Sequence, residues 1–400
     1  MTEIGRRAAL GIAAAGALGA LQPARAESVN LPFANGGRPL VAYPGKRALI
    51  RLTSRPPQFE TPMAVFDEGL ITPNDAFYVR YHLAGLPLDS IDPDTFRLQV
   101  KGEVNRPLSL ALDEIRAMPA QEIVAVSQCS GNGRGFFEPR VAGGQAGNGL
   151  MGNARWRGVP LRAVLDRAGV KAGAVQVQFD ALDGPVAEGT PDFAKALDLD
   201  LARSGEVMLA YAMNGEELPF LNGWPLRLVV PGYFGTYWVK HVNEVTVLDR
   251  PSSTFWMTTA YRIPDNDCTC VTPGTAPART RPIGPFKVRS FLTSHADGDQ
   301  VSAGRLTTLR GIAFDGGSGI KAVQVSGDGG GTWRDAALGE DLGRHSFRGW
   351  ELPLRLASGS YAVKVRATAN SGETQPAEQP WNPAGYMRNV IETVNIKAVR

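Results

Sequence analysis

Pro273-Gly-Thr-Ala-Pro-Ala-Arg-Thr-Arg-Pro-Ile-Gly-Pro285 divides the chain. Four prolines and two glycines interrupt any apolar repeat, so the stretch reads as a linker between two bodies. Upstream, from about Leu31 to Arg262, strand and helix patterns alternate irregularly. Phe96-Arg-Leu-Gln-Val-Lys101 alternates like a strand, and Ala111, Leu112, Ile115 and Met118 then recur at helical spacing until Pro119. Pro160 opens a second helix with the stripe Leu161, Val164, Leu165 and Ala168, and Gly169 suits its left-handed cap. Downstream only strand patterns remain. Tyr361, Val363, Val365 and Ala367 alternate, as do Val390, Val394 and Ile396 around Glu392, and Asp328-Gly-Gly-Gly331 reads as a turn between strands. Short strands with glycine turns argue for an immunoglobulin-like β-sandwich after a mixed first body, an α+β chain overall.

The length of 400 residues suits two or three domains. Lys and Arg number 42 against 39 Asp and Glu, which argues against a general nucleic-acid binder. Three Cys and four His exclude a disulfide scaffold, a four-cysteine zinc site and histidine-rich metal clusters. Metal or redox chemistry here must use few protein ligands. At the N-terminus, Arg6-Arg7 precede an Ala/Gly-rich run ending in Ala24-Arg-Ala26. This is the pattern of a signal peptide over residues 1–26, of twin-arginine type, which exports proteins already folded around a cofactor to the periplasm; an ordinary secretory signal with two chance arginines is the alternative. No later segment is apolar and long enough for a membrane helix.

Three clusters can carry chemistry. In Val126-Ser-Gln-Cys-Ser-Gly-Asn-Gly-Arg-Gly-Phe-Phe137, a strand feeds a glycine-rich loop that sets Arg134 near Cys129. Backbone amides and a guanidinium favour thiolate, the form that attacks or binds metal. A buried structural cysteine fits the same residues equally well, and no histidine marks a cysteine protease. In Phe77-Tyr-Val-Arg-Tyr-His82, strand geometry puts Arg80 and His82 on one face; two residues on a solvated face is the plainer reading. From Asn222 to Lys240, an apolar strand, a Pro-Gly loop and a second strand carry Arg227 and Lys240, as a phosphate site or a plain hairpin. Trp256 and Tyr261 stand near Cys268-Thr-Cys270, whose cysteines are either oxidised or free and receive no role.

Taken together, Arg80-x-His82, Cys129-Ser-Gly-Asn-x-Arg134, Trp156-Arg-Gly-Val-Pro-Leu161, Gly223-Trp-Pro-Leu-Arg227, Val229-Val-Pro-Gly232 with Lys240, Trp256-x4-Tyr261 and Trp381-Asn382 resemble the sulfite oxidase family of molybdenum enzymes. The match is greatest to catalytic subunits of periplasmic bacterial sulfite:cytochrome c oxidoreductases. The resemblance implies a mixed α/β molybdenum-cofactor domain over 27–272, a linker over 273–285 and an immunoglobulin-like, dimerisation-type domain over 286–400. It implies one molybdenum-molybdopterin per chain, sulfite oxidised to sulfate, and electrons passed singly to a c-type cytochrome, either soluble or a tightly bound haem subunit. A periplasmic reductase of the same family, for instance of sulfoxides, is the alternative, and a non-catalytic exported binding protein a remote one.

By the same resemblance Cys129 is the protein thiolate on molybdenum, a soft ligand beside the pterin dithiolene. Arg80 and Arg134 hold the anion, Tyr261 sits near the oxo group with Trp256 in the wall, and His82 lies on the pterin side. Tyr78, Asp183, Asn222, Arg227, Trp238 and Lys240 match cofactor-contacting positions. Three positions depart from the vertebrate pattern: Asn222 stands for a histidine, Gly133 for a second arginine, and Ala384 for an arginine that supplements the substrate site. The vertebrate b5 haem domain has no counterpart in this sequence, and no C-x-x-C-H provides for covalent haem, so no haem is expected in this chain.

Overall fold

A computed structural model describes residues 28–31 and 36–400. The signal segment expected over 1–26 lies outside the described residues. Among those described, no helix is long and apolar enough to cross a membrane.

The first body is built on three sheets. A meander runs from Ser28–Leu31 through Gly36–Tyr43, Lys46–Ser54 and Pro57–Glu60 to Val79–Arg80. A second sheet has the order Lys195–Asp198, Gln176–Ala181, Val242–Leu248, Arg97–Gly102, Leu108–Ala111, with Val242–Leu248 parallel to Arg97–Gly102. A third pairs Glu216–Glu217, Met208–Met213, Met151–Pro160 and Gln121–Gln128, and Arg227–Val229 joins it on Met208–Met213. The expected helices form at Leu112–Arg116 and Leu161–Ala168. Glu114 caps the first by accepting from the Ala111 N–H at 2.9 Å. Gly169 closes the second at φ +72°, a conformation that costs glycine little.

The second body is a sandwich. One sheet orders Arg289–Leu292, Leu306–Phe314, Arg348–Arg355 and Ala337–Leu338. The other orders Gln300–Ser302, Thr393–Val399, Gly359–Ala369, Ile320–Ser326 and Arg334–Asp335. Side chains alternate across a strand, so Val363, Val365, Ala367 and Ala369 all reach the core with Val323, Val325 and Ile396. Asp328 closes the expected turn by accepting from the Thr332 N–H at 2.9 Å.

Several local expectations change. The strand over Phe77–His82 contracts to Val79–Arg80. The last strand begins at Thr393, which leaves Val390 and Glu392 before it. There Glu392 answers buried cations, a role that competes with strand pairing. No plain hairpin spans Asn222–Lys240: Arg227–Val229 and Val242–Leu248 belong to different sheets, with a 3-10 turn at Gly235–Tyr237 between them. Within the proline-rich stretch, Thr280–Pro282 pairs antiparallel with Arg262–Pro264, and Ile283 is buried in the large core.

That core crosses between the bodies. Phe286, Phe291, Ile312, Phe314 and Phe347 cluster with the first body's Phe66 and Phe234. Phe234 meets Phe286 edge-on at 5.0 Å, and Phe66 meets Phe347 at 5.8 Å. Phe314→Ala should therefore cost about 3–5 kcal/mol and lower a single calorimetric transition of the whole molecule. Two separate transitions, with only one shifted, would contradict this continuity.

Candidate active site

The strand Gln121–Gln128 ends at Cys129, whose N–H donates to the Leu150 carbonyl at 2.9 Å. The chain then turns tightly, and Gly133 at φ +84° lets Arg134 fold back. Glu60, buried in the meander, accepts from the Gly147 and Gly149 N–H groups at 2.9 and 3.1 Å, pinning the segment opposite. Cys129 is the one free cysteine of the described residues, and it lines a cleft. The same cleft is lined by Tyr78, Arg80, His82, Asp183, Asn222, Arg227, Trp238, Lys240 and Tyr261. Segments far apart in sequence thus converge on one place.

Each wall has an identifiable support. Arg227 is buried, with its guanidinium 5.2 Å from the Trp156 ring and 5.7 Å from the Trp238 ring. It donates to the Asn222 carbonyl at 2.7 Å. Tyr78 shares a 2.8 Å hydrogen bond with Ser127. Lys240 holds its ammonium 3.0 Å from the centre of the Tyr81 ring, and Tyr81 in turn bonds His241 at 2.9 Å. His82 stacks on Phe193 at 3.8 Å, and its Nε2 meets the Tyr261 hydroxyl. Tyr261 sits at φ +55°, a strained conformation for a bulky residue, of the kind that clusters at functional sites.

Arg134 and Trp256 stand one side chain behind this lining. Arg134 donates from Nε to the Ala384 carbonyl at 3.0 Å and lies 5.0 Å from the Tyr386 ring, which stacks on Tyr261. Trp256 meets His82 and Phe193 at 5.3 and 5.0 Å.

The electrostatics are one-sided. No carboxylate of the described residues lies within ion-pair distance of Arg80, Arg227, Lys240 or Lys46. Burial, with Arg227 and Arg80 close by, drives the Lys240 amine well below its ordinary range. Burial likewise lowers Lys46 to about 7, and it raises the Asp183 carboxyl to about 6. Burial and the Arg80 charge keep His82 well below its ordinary value, so it is neutral. The buried Arg227 Nε, Ser130 Oγ and Thr236 Oγ1 have no partner. Unpaired donors and cations around one soft thiol fit a phosphate-bearing pterin that carries a metal. Among the described residues no group of three or more His, Cys, Asp or Glu is placed to hold a metal, so a metal here depends on a group the protein binds.

The domain model for oxidoreductase molybdopterin binding matches residues 84–256, and that for Mo-co oxidoreductase dimerisation matches 280–399. Mitochondrial sulfite oxidase of Mus musculus is 32% identical, over 96% of this chain and 71% of that protein. The chain belongs to the sulfite oxidase family. Sulfite oxidase of Gallus gallus is 33% identical over 89% of this chain and 78% of its own. Nitrate reductase [NADH] 1 of Oryza sativa subsp. japonica is 30% identical over 88% of this chain and 41% of its own. Among solved structures, the sulfane dehydrogenase SoxCD from Paracoccus pantotrophus superposes with a TM-score of 0.75, at 26% identity, over 86% of this chain and 85% of that one.

Against that family, the three departures have structural answers. At Asn222 the side chain accepts from Lys46 Nζ at 2.7 Å and donates to the Tyr78 carbonyl at 3.1 Å, so a lysine stands behind the missing histidine. At Gly133 a side chain would meet Arg289 Nη2 at 2.9 Å and Arg388 Cδ at 3.0 Å, so second-body arginines occupy that space. Ala384 contributes only its carbonyl, to Arg134. Cys268 and Cys270 are joined as a disulfide outside the cleft.

Sequence reading missed Lys46, Tyr386, Lys195 and Arg289. Lys46 and Arg289 carried no signal, because their side-chain partners, Asn222 for Lys46 and Asn148 and Glu392 for Arg289, lie more than 100 residues away. Arg289 is 1% exposed and donates to the Asn132 carbonyl at 3.3 Å, to Asn148 Oδ1 at 2.7 Å and to Glu392 at 3.2 Å. It thereby ties the Cys129 loop to the second body. Arg289→Met should cost about 1–3 kcal/mol, because it removes one of the two arginine partners of Glu392 and the donor to the Asn132 carbonyl and Asn148 Oδ1, and Glu392→Gln should cost less in that background than in the parent. Thermal melts of the single and double variants check it, and an additive loss would contradict it.

Proposed function

We propose that this molybdenum oxidoreductase oxidises sulfite to sulfate in the periplasm and passes electrons one at a time to a c-type cytochrome. The observation that carries the reading is the convergence of the Cys129 thiol, Arg80 and a set of unpaired cations in one cleft. The sulfite oxidase relatives support the substrate, and the twin-arginine pattern over residues 1–26 supports export. With no haem-attachment motif in the sequence, the cytochrome is a separate partner.

Molybdenum-molybdopterin, when bound, supplies the oxygen-transfer and redox chemistry. Cys129 is its thiolate ligand. Arg227 and Lys240, with the free Thr236 hydroxyl, hold the phosphate and pterin end, with Tyr78, Asp183, Asn222 and Trp238 completing that wall. Arg80 draws the oxyanion in by charge-assisted hydrogen bonding, and Arg134 acts on the same side through Tyr386. Neutral His82 meets the Tyr261 hydroxyl through Nε2 and so fixes where that phenol points; its Nε2–H tautomer donates to the phenol oxygen and leaves the hydroxyl proton free. Burial holds Tyr261 well above the ordinary phenol range, and the group stays protonated as a donor toward substrate.

Cys129→Ser should lower sulfite-dependent cytochrome c reduction by at least about 100-fold, since outer partners of metal ligands alone are worth about 10–100-fold. Replacing Cys268 and Cys270 together by serine should preserve it. Full turnover in the Cys129 variant sinks the assignment.

Arg80→Gln should raise KM for sulfite by about 10- to 150-fold, the worth of a charge-assisted contact, at unchanged molybdenum content. Arg134→Gln should raise it less, from its place behind Tyr386. Kinetics on samples normalised to bound molybdenum decide this, and parental KM in both variants ends the oxyanion reading. Neutral sulfoxide turned over in preference to sulfite would favour the reductase.

A further inference from the structure

Lys195 begins the strand Lys195–Asp198, the edge of the first body's second sheet, and is only 1% exposed. Its Nζ donates to the Trp256 carbonyl at 2.7 Å. The ammonium also lies 4.6 Å from the centre of the Tyr237 ring and 5.4 Å from that of Tyr261. Among the described residues no carboxylate approaches it to ion-pair distance. A buried ammonium without a counter-charge is strongly penalised, and methionine would fill the same space without that penalty. Its surroundings show what the charge does. Arg134 lies over Tyr386, Tyr386 stacks on Tyr261 at an interplanar angle of 13°, and Lys195 lies over Tyr261. Two cations thus flank a tyrosine pair, and the inner tyrosine lines the cleft and meets His82. The lysine's bond to Trp256 also ties the helix Phe255–Thr258, just before Tyr261, to that second sheet.

We propose that Lys195 is a positioning residue for oxyanion binding: its ammonium seats Tyr261 against His82 and, through that ring, strengthens the phenol as a donor to the oxyanion. The proposal rests on the oxyanion reading of the cleft. Cation–π attraction supplies both effects, because the cation polarises the ring and holds it in place. Burial, aided by Arg262, lowers the amine to about 7, so its charge fades as pH rises past neutrality and anion affinity falls with it. The other charged or titratable groups packed there are Arg262; Tyr237 and Tyr261, held protonated by burial; and His82, held neutral. Asp192 and Asp198 flank the lysine in sequence. Asp183, raised to about 6 in the cleft, adds a slope of its own, so the comparison of variant with parent isolates the lysine.

The test uses the oxidised, molybdenum-loaded protein and sulfate, whose binding is read by calorimetry without turnover. Lys195→Met and Lys195→Gln should keep the parent's molybdenum content and weaken sulfate by about 5- to 30-fold. Both should also show a shallower loss of affinity between pH 6 and 8. The glutamine variant keeps a donor for the Trp256 carbonyl without the charge. Parental sulfate affinity and pH slope in either loaded variant overturns the proposal. So does a lower melting temperature with unchanged affinity in the loaded fraction, which is what a structural filler predicts. If the parent itself binds no sulfate, the oxyanion reading falls and this proposal falls with it.

Discussion

The structure depends on positive charge that the protein itself leaves unanswered. Buried Arg227 and half-buried Lys240 line the cleft that holds Cys129, and buried Lys46 stands behind its Asn222, none with a carboxylate at ion-pair distance. A chain folding for stability alone would pair such cations or replace them by apolar side chains. Here aromatic faces hold them instead: Trp156 and Trp238 around Arg227, and Tyr81 under Lys240. Indole and phenol rings place a cation without neutralising it, so the charge remains for an anionic ligand. The three sheets, the folded-back Cys129 loop and the strained Tyr261 backbone all serve that placement.

The second body takes part in this arrangement. Arg289 and Glu392, both from its sequence, meet at the carbonyl of Asn132 and the side chain of Asn148, on either side of the loop that presents Cys129. Arg388 lies over Phe136 in the same loop. The space beside Gly133 is filled by Arg289 and Arg388 of the other body, and its φ of +84° likewise favours glycine. The bodies share a hydrophobic core as well, so the loop that presents the thiol is held by both.

Much of this was legible in the sequence where it was local. Alternation along Tyr361–Ala367, the helical stripe after Pro160 and the Asp328 turn follow from period, proline and glycine chemistry acting within a few residues. The cleft was legible as separate clusters around Arg80, Cys129 and Arg227, and family resemblance joined them. What was not legible depends on long-range packing. Lys46 reaches Asn222 across 176 positions, and Arg289 reaches Gln128 across 161. Lys195 looks like an ordinary strand lysine until its neighbours are known. Glu392 sits in an alternating pattern, yet it stands before the last strand, paired with buried Arg289 and half-buried Arg388.

The central claim is that the Cys129 thiol, set among unanswered cations, is the protein's own ligand to the metal. X-ray absorption at the molybdenum edge of the purified protein tests it most directly. The account predicts one sulfur ligand more than the pterin dithiolene provides, and loss of that sulfur in Cys129→Ser at retained molybdenum content. An identical sulfur shell in parent and Cys129→Ser would contradict it.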